Sequence, residues 1–284
     1  MSGAKGAVSA RANIVAAALL FSTGGAAIKF CSLSGFSVAA FRSLVAALAL
    51  VALVPAARAR WTWRTPLVGL AYAATLILFV LSNKLTTAAA AIYLQTSAPL
   101  YLLLLGPWLL GEPTRRRDFG GIALLAAGLA LMFVGADAPQ ATAPRPLLGN
   151  VLAAASGLTY ALMIAGLRWL GKKGGAQASS LPAVVAGNVI AVVVCLPFAS
   201  GVAAAGASDW GAILFLGVFQ IGLAYACMTR GIVHVPALTA SLLLLFEPVL
   251  NPFWTWLVEG ERPGLWTLCG GALVLSATAF QARR

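Results

Sequence analysis

The sequence predicts an all-α integral membrane protein: about ten transmembrane helices forming two inverted five-helix repeats, with no soluble domain. Three observations carry this. First, 61% of the 284 residues are hydrophobic and 9% charged, whereas a soluble domain coats its surface with about a quarter charged residues. Second, apolar runs of about 20 residues recur throughout, each long enough to cross about 30 Å of hydrocarbon as a helix. Alternating strand patterns, the mark of a membrane β-barrel, are absent. Third, the chain repeats itself internally.

The predicted spans are 12–30, 36–56, 66–83, 87–110, 118–136, 147–170, 179–199, 210–229, 236–258 and 264–282. The first follows Lys5 and Arg11, is too long for a signal-peptide core, and carries Ser22. The second carries Arg42 about one turn inside its end. The third sets Tyr72, Thr75 and Phe79 on one helical face. The fourth has Tyr93, Ser97 and Tyr101 on one face, with Gln95 and Pro99 on a neighbouring one. In the fifth, Gly121, Gly128 and Gly135 recur every seven residues, a stripe for close helix packing within or between chains. The sixth offers Ser156, Thr159, Tyr160 and Met163, and the eighth Gln220 and Tyr225. The seventh and tenth are placed by length and apolarity. The ninth holds Glu247 and Asn251, four residues apart on one face. Pro248 and Pro252 follow them, and each removes a backbone donor.

The net charge of +12 reads as topology, not as a nucleic-acid footprint. With the N-terminus inside, Lys5, Arg11, Arg58, Arg60, Arg64, Arg115, Arg116, Arg117, Arg168, Lys172, Lys173, Arg230, Arg283 and Arg284 all lie on that side. Lys29, Lys84, Arg145 and Arg262 lie opposite, so the balance is fourteen against four. The positive-inside rule then places both termini in the cytoplasm. Anionic lipid head groups attract what charge remains. Lys29 and Lys84 are expected to be solvated at outer helix ends, and most tryptophans fall near span boundaries as interface anchors. The cysteines (Cys31, Cys195, Cys227, Cys269) show no CxxC spacing and read as apolar fillers. With no HExxH motif, no intramembrane aspartate pair, and the single histidine, His234, in a predicted loop, an enzyme, a metal site and a cofactor are not expected. A passive channel stays open as a further class.

Residues 93–121, YLQTSAPLYLLLLGPWLLGEPTRRRDFGG, align without gaps to residues 242–270, LLLLFEPVLNPFWTWLVEGERPGLWTLCG. An offset of 149 carries Pro99 onto Pro248, Gly111-Glu112 onto Gly260-Glu261, and Gly121 onto Gly270; NIVAAA from Asn13 echoes in NVLAAA from Asn150 at an offset of 137. The repeats are 1–142 and 143–284. Each holds an odd number of spans, so the second enters the membrane from the opposite side. Inverted repeats of this kind place a solute site near the midplane between halves and let the halves rock between opposite access states.

The ten-span plan, the duplication and the motifs SAPLYLLLLGPWLLGEP and LFEPVLNPFWTWLVEGERP resemble the drug/metabolite transporter superfamily. Within it, they resemble the branch of ten-helix amino-acid and metabolite exporters, aromatic amino-acid exporters included. The resemblance covers nearly the whole chain. It implies a bacterial inner-membrane carrier exporting a small molecule by alternating access through a central cavity lined by both halves. Amino acids with apolar side chains are the expected cargo. Cationic drugs, polyamines and sugar phosphates are the alternatives, and monomer and homodimer both remain open.

Of seven acidic residues, Glu247 alone falls near a span centre, where an ionised carboxylate costs several kcal/mol unless it meets water or a partner. It either binds a substrate ammonium or carries a coupling proton, or it supports the kink at Pro248. Asn251 beside it is a further ligand or an interhelical hydrogen bond. Ser22, Tyr72, Thr75, Phe79, Tyr93, Gln95, Ser97, Tyr101, Thr159, Tyr160, Gln220 and Tyr225 complete the substrate-binding candidates. Each is also readable as core packing. The tyrosines offer an apolar face, a hydroxyl and a ring that attracts ammonium. Arg42 either reaches a substrate carboxylate or snorkels to the outer interface.

Overall fold

The computed structural model describes residues 2–98, 101, 118–134, 138–174, 180–232 and 243–282. Its helices are α1 (Ser2–Ser22), α2 (Gly24–Phe30), α3 (Gly35–Leu53), α4 (Arg64–Leu85), α5 (Ala88–Gln95) and α6 (Asp118–Val134). After a short linker follow α7 (Pro146–Gly174), α8 (Leu181–Cys195) and α9 (Ala207–Phe215). The last runs through a π-helical stretch, Leu216–Leu223, into α10 (Ala224–Ile232). Then come α11 (Phe246–Glu259) and α12 (Leu265–Ala282). Among the described residues, six helical runs are long and apolar enough to cross a membrane, and Phe119–Val134 and Leu265–Phe280 are shorter apolar helices. The predicted spans 87–110 and 236–258 fall partly outside the described residues, as do Glu112, His234 and Gly135.

Helix ends follow local chemistry. Ser34 Oγ accepts from Ser37 N (3.2 Å) to cap α3, and Thr87 Oγ1 accepts from Ala90 N (3.2 Å) to cap α5. Gly260, at φ 65°, ends α11 in the left-handed conformation that glycine adopts without strain. The junctions α2–α3, α4–α5, α11–α12 and the segment before α7 gather at one end of the bundle, here called the far end. The start of α1 meets Leu243, Leu244 and Gly231 at the opposite, near end. Helix α1 therefore runs from near to far, and α7 from far to near.

The most extensive packings all join a helix of the α1–α6 set to one of the α7–α12 set: α4 with α7 and α8, α3 with α8 and the π-helical stretch, α6 with α12, and α1 with α10. The two sets interlock. Leucine, valine and phenylalanine side chains such as Leu48, Leu53, Phe198 and Leu265 stand exposed on the outside, a surface suited to lipid.

Two predicted spans are interrupted, and sequence explains both breaks. The first breaks at Thr23, followed by Gly24 and Gly25. A Cβ on Gly24 would lie 2.8 Å from Gln220 Nε2, and one on Gly25 would lie 2.5 Å from Asn251 Oδ1. Only glycine admits these amides. The ninth turns at Leu245, which puts Glu247 and Pro248 in the first turn of α11. The expectation that Pro248 kinks a continuous helix is thus corrected: the first four N–H groups of a helix have no partner to lose. Pro252 alone lies inside α11. Gly128 packs within the chain, where an added Cβ would meet Gly270 O at 2.8 Å.

Candidate solute cavity

Breaks and bulges leave a space between the two helix sets, a cavity of about 410 Å³. From α1–α5 and the residues after it come Phe21, Arg42, Thr75, Leu76, Phe79, Ile92, Gln95, Thr96 and Ala98. The other set contributes Tyr160, Met163, Ile164, Leu167, Gln220, Ile221, Tyr225, Met228, Leu244, Leu245, Glu247, Pro248 and Thr278. Arg42 and Glu247 are the two charged residues among these. They make no ion pair with each other, nor does any described cation lie within 4.0 Å of Glu247.

The polar wall is built behind the lining. Thr75 Oγ1 lies 2.8 Å from Ala71 O and 3.0 Å from Thr159 Oγ1, its single proton shared between them, and Gln95 Nε2 donates to Ser156 Oγ (2.7 Å). Ser156 Oγ in turn donates to Thr75 O at 3.3 Å. These bonds tie α4, α5 and α7 together and fix Thr75 and Gln95 toward the space. Tyr225 is held by ring contacts with Phe21 (5.1 Å) and Tyr72 (5.5 Å).

Seven of the sequence candidates thus line the cavity: Thr75, Phe79, Gln95, Tyr160, Gln220, Tyr225 and Glu247. The others stand behind it or elsewhere. Tyr72 is buried against α8, its hydroxyl accepting from Asn188 Nδ2 at 3.4 Å. Tyr93 packs so closely on Gly271 that a Cβ there would touch its ring. Ser97 bonds back to Leu94 O, and Tyr101 donates to Ala154 O at 3.1 Å. Ser22 accepts from Trp254 Nε1 at 2.9 Å, which makes Trp254 an internal brace. Thr159 serves Thr75. Asn251 is fully buried against Gly25, away from the cavity lining, and neither amide atom has a partner among the described residues. Sequence reasoning missed Phe21, Leu76, Ile92, Ile164, Leu167, Ile221, Met228, Leu244 and Leu245, whose apolar side chains carry no mark distinguishing cavity from lipid. It also missed Thr96 and Thr278, whose hydroxyls inside predicted spans were the available signal.

Two lysines depart from expectation, and Arg42 takes one of its two expected places. Arg42 does not snorkel: it is 1% exposed and lines the cavity. Helix α3 is pressed on the π-helical stretch, where a Cβ on Gly217 would lie 2.9 Å from Arg42 O and 2.5 Å from Val45 Cβ. Lys29 is not solvated either. Its ammonium pairs with Glu261 Oε2 at 2.8 Å, with both side chains almost fully buried, and it donates to Thr86 O at 2.9 Å and Thr142 O. Glu261 Oε1 accepts from Ala88 N (2.6 Å) at the start of α5. Lys84 donates to Cys31 O, and Asp209 accepts from Ser32 N (2.6 Å) and Ser32 Oγ (2.9 Å). Each of these groups finds a partner within the protein, as a buried or half-buried charge requires.

A helical bundle with an apolar skin, whose two interlocked halves share a cavity, has the form of a multi-pass membrane protein. Residues 9–134 and 147–282 each match the model of the EamA-like transporter family. The chain belongs to that family, within the drug/metabolite transporter superfamily, whose members are transporters. A solved crystal structure of a protein is similar at 22% identity, with a TM-score of 0.64 over 98% of this chain and 98% of its own, which shows the fold. No curated protein matches the chain.

Proposed function

We propose that this chain is a secondary transporter that exports small amphipathic metabolites, amino acids foremost, by alternating access. The observation that carries this is the mixed lining of a cavity shared by both halves. Tyr160 and Tyr225 rings, Gln95 and Gln220 amides and the Glu247 carboxylate face apolar Met163, Ile164 and Phe79. Its volume of about 410 Å³ suits a small molecule; such sites run from about 300 to 1,000 Å³. The lining reaches toward the near end at Leu167, Met228 and Leu244, while the far end is cross-braced. That asymmetry fits a carrier ready to load from the near side, the cytoplasmic side on the positive-inside reading of the charges. Glu247 with nearby tyrosines also supports a second reading, export of cationic drugs or polyamines.

Uptake into proteoliposomes, with a panel of amino acids, polyamines and organic cations as substrates and competitors, separates the two. Saturable, counterflow-competent transport of amino acids supports the first. If polyamines or cations move and no amino acid is carried or competes, the amino-acid assignment falls.

A further inference from the structure

We infer that Arg42 holds an acidic group of the cargo, so that the transported molecule carries a carboxylate and not an amine alone. This rests on reading the central cavity as the substrate site. Arg42 is 1% exposed and lines the cavity. Its one hydrogen bond runs from Nη2 to Leu76 O at 3.3 Å, and its Nε has no partner among the described residues. Its electrostatic neighbours are Tyr72, Tyr225 and Cys195, with no carboxylate among them. A guanidinium is charged at any accessible pH and is retained inside a membrane protein only where an anion or water compensates it. Here the side chain borders the cavity, and no carboxylate among the described residues pairs with it.

The kind of anion follows from the count of charges. Among the described residues, Arg42 is the single cation of the lining and Glu247 the single anion, so with both ionised that lining is formally neutral. A phosphate dianion would leave a net negative charge buried. A polyamine would add several positive charges beside an unpaired guanidinium. A zwitterion leaves the sum at zero: its carboxylate against the planar fork of Arg42, its ammonium toward Glu247.

The test uses the full chain in proteoliposomes with radiolabelled phenylalanine, phenylalaninamide and 3-phenylpropanoate as probes. Wild type is expected to favour phenylalanine over its amide by tenfold or more in KM. Arg42→Gln should bring that ratio near one while changing the KM for the amide less than twofold, and Arg42→Lys should keep part of the preference. Removing a cation without a counterion should leave the melting temperature in detergent unchanged or raised. An Arg42→Gln protein that fails to fold, or that keeps the tenfold preference, overturns the inference, as does a wild type indifferent to the carboxylate. The two readings part cleanly. Transport of 3-phenylpropanoate that depends on Arg42, with no amino acid carried, would sink amino-acid export and leave this inference standing. Carriage of phenylalanine with an unaltered preference in the Gln variant does the reverse.

Discussion

Two pairs of opposite charges, each drawing its cation from the first half and its carboxylate from the second, are used in opposite ways. At the far end Lys29 and Glu261 meet at 2.8 Å and take up their remaining bonding capacity from Thr86 O, Thr142 O and Ala88 N. In the cavity Arg42 and Glu247 face the same space without pairing. The first pair locks the halves together. On the proposed reading, the second is left for the cargo. Burial alone does not tell a brace from a binding group; the presence or absence of an ion-pair partner is the distinction that the variants below test.

The largest expected effect lies in breaking the brace. Lys29→Met leaves the Glu261 carboxylate buried and unpaired, and removing one partner of a buried ion pair costs about 3–5 kcal/mol. Thermal unfolding in detergent should show a steep loss of stability, and Lys29→Met with Glu261→Gln together should regain much of it. Single and double variants melting like wild type would show that the pair braces nothing.

Steric fit at the same end comes next. A Cβ on Gly149 would lie 2.6 Å from both Thr86 N and Thr86 Cβ, whereas one on Gly120 meets nothing. Gly149→Ala should cost about 1–3 kcal/mol by overpacking, with Gly120→Ala as a neutral control in the same melting assay.

The cavity should answer differently. Glu247→Gln removes a charge that no described cation pairs, so melting should stay within about 1 kcal/mol of wild type. Transport of ammonium-bearing substrates should fall about tenfold or more, equivalent to about 1.4 kcal/mol, and lose its pH dependence. A Gln variant with wild-type transport and pH profile would assign Glu247 to structure. The smallest effect is at the α3 cap: Ser34→Ala loses the bond from Ser37 N and should cost about 1 kcal/mol, read as a small drop in melting temperature.

The spans were legible because lipid demands long apolar helices: the expected 36–56 and 147–170 appear as Gly35–Leu53 and the first part of Pro146–Gly174. Polar residues at mid-span marked part of the cavity, as Thr75, Gln95, Gln220 and Glu247 show. The rest was hidden for a physical reason. Inside a membrane bundle, faces toward lipid and faces toward neighbours are equally apolar, so Phe21 or Met228 looks no different from Leu48. Pairing across more than two hundred residues, as between Lys29 and Glu261, leaves no local pattern. That Arg42 turns inward to the cavity follows from the rotation of α3 within the bundle, which a span boundary does not reveal.

The π-helical stretch Leu216–Leu223 sets the rotational phase of everything after it. Widening the winding accommodates residues that α-helical spacing would not, and an α-helix turns by about 100° per residue. Because the wider winding absorbs about one extra residue, deleting one residue from this stretch and letting it rewind as α-helix would leave Tyr225 and Met228 near their present direction, whereas deleting one from the α-helix just before or after it would swing them by about that angle, off the cavity. Among relatives, a one-residue length difference here would therefore spare the chamber, while the same difference a turn away would rebuild its wall.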